Sequence, residues 1–168
     1  VSAGALLRRF NLRPKKSLGQ NFLHDPVWLH RILTAGEVGA QDLVLEIGPG
    51  TGSLTRCLAG AAREVVAIEL DEHLLPVLAY VLQGYENVTV VAGDILEHQL
   101  HQLLPTAGDS GFKVVANIPY YITGQLVRHL LQSDLCPAML VLTVQREVAA
   151  RMVADVGEMS LLAVSVQF

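Results

Sequence analysis

The tetrapeptide Asn117-Ile118-Pro119-Tyr120 contains the groups needed to activate an aromatic exocyclic amine. Such an amine is a poor nucleophile because its lone pair is delocalised into the ring. The side-chain oxygen of Asn117 and the carbonyl of Pro119 can accept its two hydrogens out of the ring plane, which frees the lone pair to attack a sulfonium methyl group. Tyr120 can stack on the base, for about 1–3 kcal/mol. The tetrapeptide predicts methyl transfer to a base amine, with a simple turn as the plain alternative.

A glycine-rich segment, Glu46–Gly52 with the sequence EIGPGTG, follows the first predicted strand. Gly48 and Gly50 permit a tight turn and let the backbone approach a ligand closely. The glycine spacing is GxGxG, and Ser53 stands where a GxGxxG dinucleotide-binding loop has its third glycine. The spacing favours a methyltransferase loop that binds S-adenosyl-L-methionine over an NAD site, and a purely structural turn is the other alternative.

Two carboxylates come at the ends of later apolar runs. Glu69 lies twenty-one residues beyond Gly48, where an acid can accept hydrogen bonds from both hydroxyls of a ribose. Asp94 can accept the exocyclic amine of a cofactor adenine. Alternatively, Glu69 is a solvated strand end and Asp94 caps a helix that starts near Ile95. Because a carboxylate has two oxygens, a cap and a ligand bond at Asp94 are compatible.

Continuous apolar runs precede these motifs, as is typical of parallel strands buried on both faces. The predicted strands are Leu43–Ile47, Glu64–Glu69, Val88–Ala92, Lys113–Ala116 and Ala138–Val144. The predicted helices are Pro26–Thr34, Thr51–Leu58, Asp71–Leu82, Ile95–Leu104, Ile122–Leu131 and Gln145–Ala154. The last segment, Leu161–Phe168, alternates in polarity and predicts a further strand. The alternation of strands and helices predicts a doubly wound, mostly parallel α/β sheet, which binds ligands at the carboxyl ends of its strands.

The charge of the chain is unevenly distributed. The net charge is −4, which by itself argues against a nucleic-acid partner. Five of the twelve Lys and Arg residues, however, fall within the first sixteen residues, where there is no acid, which leaves seven bases against sixteen acids in the remainder. The five are Arg8, Arg9, Arg13, Lys15 and Lys16. Such an arm can contact phosphate, and a solvated, flexible terminus is the equally open alternative.

Composition narrows the class of protein. Hydrophobic residues make up 51% and charged residues 17% of the chain, which predicts a folded globular protein. The longest apolar run, Ala138–Val144, is too short to span a bilayer. The two cysteines, Cys57 and Cys136, form no CxxC pair, which favours a reducing compartment and argues against a zinc site. A cytoplasmic protein with no metal site and no membrane partner is therefore expected.

Three ring-bearing side chains have plain structural interpretations. Trp28 precedes Leu29 in a predicted helix and is expected to pack in the core. His98 and His101 are three residues apart on a predicted helix, as helical metal ligands can be, but no third ligand is evident nearby. A solvated helix face is the preferred interpretation of the two histidines.

Four segments, taken in chain order, resemble one family, the ribosomal RNA adenine N6-dimethyltransferases of the small subunit. Lys15–Leu23 (KKSLGQNFL) is similar to the N-terminal signature of the family, and Glu46–Gly52 is similar to its cofactor loop. Asn117–Tyr120 resembles its catalytic motif, and Val144–Ala149 (VQREVA) resembles a further conserved segment. The resemblance runs from about Arg13 to the end of the chain.

The resemblance implies a Rossmann-like class I S-adenosyl-L-methionine-dependent methyltransferase. The implied catalytic residues are Asn117, Pro119 and Tyr120, and the predicted cofactor-binding residues are Asn21, Leu23, Gly48, Gly50, Glu69, Asp94 and Asn117. The implied reaction is dimethylation of two adjacent adenines in a hairpin loop near the 3′ end of small-subunit rRNA, with RNA contacts from Arg13, Lys15 and Lys16. Unpaired loop bases suit a pocket. A monomer acting on a pre-30S-type ribosomal particle is expected.

The resemblance also divides the chain. Residues 1–25 form a basic arm with the signature, and residues 26–168 form the methyltransferase domain. After Val156-Gly157 the family has a longer loop, whereas here Glu158-Met159-Ser160 follows directly. The last strand and the small helical C-terminal domain of the family are absent from the sequence, so the domain is expected to be truncated before them.

Three alternatives stay open at this point. Large-subunit rRNA adenine methylases that confer antibiotic resistance share the Asn-x-Pro-Tyr motif, although Tyr121–Leu126 and Gln145–Ala149 are closer to the small-subunit group. A largely non-catalytic ribosome-assembly or transcription factor can use the same fold. A small-molecule methyltransferase or an NAD enzyme is the least favoured by the motifs.

Overall fold

A five-stranded parallel sheet forms the centre of the molecule. The computed structural model describes residues 2–108, 111–118 and 122–167. The strands, in the spatial order β3-β2-β1-β4-β5, are β1 (Leu43–Ile47), β2 (Glu64–Glu69), β3 (Val88–Ala92), β4 (Lys113–Asn117) and β5 (Met139–Thr143). Each described pairing is parallel. The predicted doubly wound α/β sheet is confirmed, and every predicted strand agrees with the structure to within one residue at each end.

The central strand, β1, is buried along its whole length. Its side chains alternate between the two faces of the sheet. Leu43 and Leu45 join an apolar cluster on one face, and Val44 joins a cluster on the other. Because β1 connects to β2 on one side and pairs with β4 on the other, the strand order reverses between β1 and β4. The carboxyl ends of strands at such a reversal are where open α/β sheets bind ligands.

Helices cover both faces of the sheet. They are α1 (Ala3–Arg9), α2 (Pro26–Ala35), α3 (Ser53–Ala61), α4 (Leu75–Val81), α5 (Leu100–Leu103), α6 (Thr123–Leu131), α7 (Arg146–Met152) and α8 (Leu161–Gln167). Short 3₁₀ turns occur at Lys16–Leu18, Glu72–Leu74 and Ile95–Glu97. Within the described ranges, none of the helices has both the length and the apolar character that crossing a membrane requires.

Two of the predicted helices are divided in the structure. The predicted helix Asp71–Leu82 is a 3₁₀ turn followed by α4, which has Pro76 in its first turn. Proline lacks an N–H and is tolerated only in the first turn of a helix, so α4 begins just before it. The predicted helix Ile95–Leu104 is likewise a 3₁₀ turn and the short α5, with extended backbone at His98 and Gln99 between them.

The prediction of a strand at Leu161–Phe168 is wrong, because residues 161–167 form α8; Phe168 lies outside the described residues. Ser160 begins this helix: its carbonyl accepts the Val164 N–H at 3.1 Å, and its hydroxyl accepts the Ala163 N–H at 3.3 Å. Ala163 is fully buried, and α8 packs against α6 and α7. Polarity alternation over so few residues does not distinguish a strand from a helix, whereas a serine before the run is a helix-start signal.

The basic N-terminal arm contains a helix that the sequence analysis does not predict. Ser2 caps α1, and Leu6 and Leu7 are buried against Leu74 and Val77. The arginines of α1 remain at the surface, and the Arg9 guanidinium lies 4.3 Å from the centre of the Tyr80 ring. The start of the chain is therefore anchored to α4 by apolar contacts.

The prediction that Trp28 packs in the core is also wrong. Leu29 and Ile32 of α2 are buried, but Trp28 is 52% exposed. The Arg31 guanidinium lies 4.7 Å from the centre of the Trp28 ring. Residues one apart on a helix point in different directions, so burial of Leu29 turns its neighbour toward solvent.

We expect Leu6→Ala to lower the free energy of unfolding by about 2–4 kcal/mol, because it leaves a cavity between α1 and α4. Urea denaturation measures the change. Arg8→Ala, on the exposed side of the same helix, is the control and should alter stability by less than about 0.5 kcal/mol. Equal stability of Leu6→Ala and the parent protein would show that α1 does not stabilise the fold.

Candidate functional site

A cavity of about 680 Å³ opens at the carboxyl ends of the strands, beside the β1–β4 reversal. It is bordered by the glycine-rich loop after β1, by the ends of β2 and β4, by the turn after β3, and by residues 18–23. All seven residues predicted to bind the cofactor line it: Asn21, Leu23, Gly48, Gly50, Glu69, Asp94 and Asn117. The parallel topology thus brings together side chains that are distant in sequence.

The predicted catalytic tetrapeptide begins where β4 ends. Asn117 is the last residue of β4, and Ile118 follows it into the cavity wall. Pro119 and Tyr120 lie outside the described residues. Their catalytic roles therefore stay predictions.

The glycine-rich loop passes from β1 to α3 in a conformation that favours glycine. The φ angles of Gly48, Gly50 and Gly52 are 71°, 60° and 77°. A Cβ atom on Gly50 would lie only 2.9 Å from the Phe22 ring, closer than such contacts allow. The absence of a side chain at residue 50 therefore lets Phe22 pack directly on the loop, and with it residues 15–23, here called the N-terminal segment.

Glu69 fixes the shape of this loop. One carboxylate oxygen accepts the Gly50 N–H at 2.9 Å, and the other accepts the Asp71 N–H at 2.9 Å. Burial raises the pKa of Glu69, and the hydrogen bonds from Asp71 and Gly50 limit that rise. Each oxygen retains a lone pair, so the predicted contact with a ribose is compatible with these bonds.

A buried carboxylate just beyond Glu69, Asp71, holds the N-terminal segment in place. Lys15 Nζ lies 2.7 Å from Asp71 Oδ1, and Gln20 Nε2 donates to Oδ2 at 2.8 Å. Burial alone would raise the pKa of Asp71, but the hydrogen bonds from Lys15, Gln20 and His73 outweigh it and lower the pKa to about 2. Asp71 and Gln20 are not among the residues predicted from the sequence. Their signals there are the position of Asp71 beside Glu69 and that of Gln20 in the signature.

Of the three predicted RNA-binding residues, Lys15 is the one with a described partner. Its ammonium group is paired with Asp71, although the side chain remains 41% exposed. Arg13 is exposed. The side chain of Lys16 lies outside the described residues.

The same N-terminal segment meets the predicted catalytic residue. Asn117 Nδ2 donates a hydrogen bond to the Asn21 carbonyl at 3.1 Å. This bond uses the amide nitrogen of Asn117 and leaves its side-chain oxygen as an acceptor. Asn21 thereby orients the group that the sequence analysis assigns to the target amine.

Asp94 takes the helix-capping role that the sequence analysis considered. Its Oδ1 accepts the Leu96 N–H at 3.0 Å, at the start of the 3₁₀ turn. His98 Nδ1 lies 2.7 Å from the Asp94 carbonyl, and its ring occupies the space that a Cβ atom on Gly93 would need. The cap is confirmed, and one carboxylate oxygen remains for the predicted contact with adenine.

The cavity is acidic. Glu46, Glu69 and Asp94 line it, and among its described lining residues there is no Lys, Arg or His. Glu46, which the sequence analysis included only as the start of the glycine-rich motif, is 1% exposed. Such a site attracts a cation and repels an anion.

We expect Asp71→Asn to lower the free energy of unfolding at pH 7 by about 1–3 kcal/mol, because it breaks charge-assisted hydrogen bonds to a buried group. The folded-state pKa of Asp71 is lowered, from 3.8 to about 2. Its contribution is therefore full above pH 3.8 and is lost as the pH falls toward 2. Urea denaturation across this range should show the parent and the variant converging in acid.

The control is Asp42→Asn, which breaks the pair that Asp42 forms with Lys113 at 2.9 Å, outside the cavity lining. Amide hydrogen exchange of residues 15–23 should accelerate in Asp71→Asn and stay unchanged in Asp42→Asn. Unchanged exchange in Asp71→Asn would mean that the Asp71 contacts do not hold the segment.

Comparison with known proteins identifies relatives of this chain. The "Ribosomal RNA small subunit methyltransferase A" of Ligilactobacillus salivarius is 46% identical over 168 residues, which cover 98% of this chain and 57% of that protein. The chain thus spans a little over half the length of this curated relative.

Two solved structures are also similar. A dimethyladenosine transferase from Plasmodium falciparum has a TM-score of 0.74 at 32% identity, covering 88% of this chain and 52% of that one. The 23S rRNA methyltransferase ErmE has a TM-score of 0.71 at 34% identity, covering 86% and 56%. The predicted class I methyltransferase fold is confirmed.

The sequence profile described as "Ribosomal RNA adenine dimethylase" matches residues 11–168. This match takes in the N-terminal signature, the cavity and every strand of the sheet. The chain belongs to the ribosomal RNA adenine dimethylase family.

Proposed function

We propose that the chain transfers methyl groups from S-adenosyl-L-methionine to the N6 atoms of two adjacent adenines, in a hairpin loop near the 3′ end of small-subunit rRNA. Family membership and the name of the Ligilactobacillus salivarius relative support this reaction class. A pre-30S-type particle as substrate, a monomeric state and a cytoplasmic location are parts of the same proposal.

The acidity of the cavity is the observation that carries the choice of cofactor. The carboxyl groups of Glu69 and Asp94, and the absence of a cationic side chain among the described lining residues, fit a ligand with a positively charged sulfonium. The negatively charged pyrophosphate of NAD would be repelled by the same carboxyl groups. When bound, S-adenosyl-L-methionine supplies an electrophilic methyl group on that sulfonium.

The chain's own residues then have separate tasks. The free lone pairs of Glu69 accept the ribose hydroxyls, and the free oxygen of Asp94 accepts the adenine amine of the cofactor. The glycine-rich loop, fixed by Glu69, brings the backbone at Gly48 and Gly50 against the ligand. Asn21 and Leu23 close the cavity from the N-terminal side.

Asn117 faces the substrate. Because its amide nitrogen donates to the Asn21 carbonyl, its oxygen is left to accept a hydrogen from the target amine. We assign the second acceptor to the Pro119 carbonyl and base stacking to Tyr120. Orientation of the amine and desolvation of its lone pair account for most of the rate enhancement, and no metal or strong base is needed.

The RNA contacts extend the proposal to the surface. Arg13 and Lys16 are positioned in sequence to contact phosphate near the cavity, and Lys15 can add its remaining exposed surface while it anchors the segment. Such contacts weaken as salt rises.

The alternative substrate is large-subunit rRNA, and the similarity to ErmE is the observation that favours it. Against it stands the curated relative, 46% identical, whose name specifies the small subunit. A largely non-catalytic role on the same fold is the other alternative.

The cofactor is tested by calorimetric titration of S-adenosyl-L-methionine into the parent chain, Glu69→Ala and Glu64→Ala. We expect Glu69→Ala to weaken binding by at least tenfold, since each lost hydrogen bond to a charged group is worth about 1.5–3 kcal/mol. Glu64, at the opposite end of β2, is outside the cavity lining, and its variant should bind normally. Tighter binding of NAD than of S-adenosyl-L-methionine would contradict the proposal.

The reaction is tested by methyl incorporation into isolated small and large ribosomal subunits. Asn117→Ala should reduce methylation of small-subunit RNA by about a hundredfold or more, because the amine loses an oriented acceptor. Asn87→Ala is the matched control, since Asn87 donates to the Ala59 and Ala62 carbonyls and does not line the cavity.

Two outcomes would favour the alternatives. Methylation of large-subunit RNA only would support the ErmE-like substrate. An Asn117→Ala variant that methylates poorly yet fully rescues a deletion strain would support a binding role as the main function.

A further inference from the structure

Glu46 is a buried acid to which the proposed reaction gives no role. It lies in β1, opposite Ala67 of β2 and Val115 of β4. The residue is 1% exposed, and its Oε2 atom has no hydrogen-bond partner among the described residues, although Glu46 borders the cavity. An ionised carboxylate without a partner is very costly to bury, whereas a neutral carboxylic acid is much less so.

The strand residues paired with Glu46 are the uncharged Ala67 and Val115. Lys113, two residues before Val115 on the same face, is paired with Asp42. Side chains two residues apart on a strand share a face, so Glu69 on β2 and Asn117 on β4 flank Glu46 on the cavity side. Burial raises the pKa of Glu46 to about 8, and the negative charge of Glu69 adds to that rise.

The cationic or titratable basic residues of the helices on the same face, His30 and Arg31 of α2 and Arg56 of α3, are exposed. From α3, the Thr55 hydroxyl partly offsets the rise in the pKa of Glu46, although Thr55 Oγ1 is itself without a geometrically satisfactory hydrogen bond. Cys57 is the other titratable group of α3 that senses Glu46, and the burial of its thiol is the first cause of its own raised pKa. The buried residues of α2 on this face are Leu29 and Ile32.

We propose that Glu46 is a charge-sensing residue of the cavity: it is protonated while the cavity holds no cation and ionises when a cationic cofactor enters. The proton leaves the carboxyl oxygen for solvent, and no other bond changes. Binding of the sulfonium then gains the attraction of a new negative charge, whereas the uncharged thioether that remains after methyl transfer does not. Glu46 thereby favours the fresh cofactor over the spent one. This inference rests on the proposed function for the identity of the cation.

The protonation state can be measured without any ligand. Carbon-13 spectra of the side-chain carboxyl groups, with the Glu46 signal assigned by its loss in Glu46→Gln, report the titration directly. We expect a midpoint near pH 8, against an ordinary value of 4.5. A midpoint near the ordinary value would overturn the inference, whatever the cofactor is.

Proton release is measured by titrating S-adenosyl-L-methionine into the protein at pH 7 in two buffers of different ionisation enthalpy. We expect release of most of a proton per cofactor, since a group with a pKa of about 8 is mainly protonated at pH 7. S-adenosyl-L-homocysteine, which keeps the α-ammonium group but lacks the sulfonium charge, should release distinctly less. Glu46→Gln should abolish the release and reduce the preference for the sulfonium on the order of tenfold, whereas Glu64→Gln should change neither.

The outcomes separate the two proposals. Cofactor binding without proton release, or release that persists in Glu46→Gln, would overturn the role of Glu46 and leave the proposed function intact. Failure of S-adenosyl-L-methionine to bind would contradict the proposed function, and the carboxyl titration would still decide whether Glu46 is protonated.

Discussion

Two backbone hydrogen bonds to one buried carboxylate hold the cavity in shape. Glu69 ends β2, and its oxygens bind the N–H groups of Gly50 and Asp71. Gly50 belongs to the loop of the neighbouring strand, and Asp71 anchors the N-terminal segment, whose Asn21 carbonyl in turn receives Asn117. A carboxylate suits this position because its two oxygens can accept two backbone groups and still have lone pairs for a ligand. Removal of Glu69 would therefore loosen the glycine-rich loop, the N-terminal segment and the position of Asn117 together.

The distribution of charge resolves an apparent conflict between the chain and its proposed substrate. RNA is an anion, and the chain has a net charge of −4. Glu46 and Glu69 are buried at the cavity, which the glycine-rich loop and residues 18–23 also line, while Arg13 lies exposed. The same protein can therefore be electronegative toward a small cation and locally electropositive toward a polyanion, because the two ligands approach different surfaces.

The sequence predicts the sheet well because continuous apolar runs identify strands that are buried on both faces. Parallel topology then places Glu69, Asp94 and Asn117 at one edge without any further information. The features that the sequence does not predict depend on contacts between distant residues or on which side of a helix is buried. The Lys15–Asp71 pair joins residues 56 apart, and nothing local indicates it. The prediction for Trp28 is wrong because hydrophobicity alone does not say which of two neighbours occupies the core. The prediction for residues 161–167 is wrong because a short alternation in polarity does not distinguish a strand from a helix.

The wall that the N-terminal segment adds to the cavity constrains the order in which parts of the protein can fold. Its two polar attachments close loops of 56 residues at Asp71 and 96 residues at Asn117. The attachment at Asn117 closes a longer loop than the β1–β4 pairing, in which Val44 pairs with Lys113, so its loop-closure entropy is the larger cost. During synthesis, residues 15–23 leave the ribosome before β4 and must wait until β4 has been made before they can complete the wall. The N-terminal side of the site therefore cannot close before the first four strands have been made.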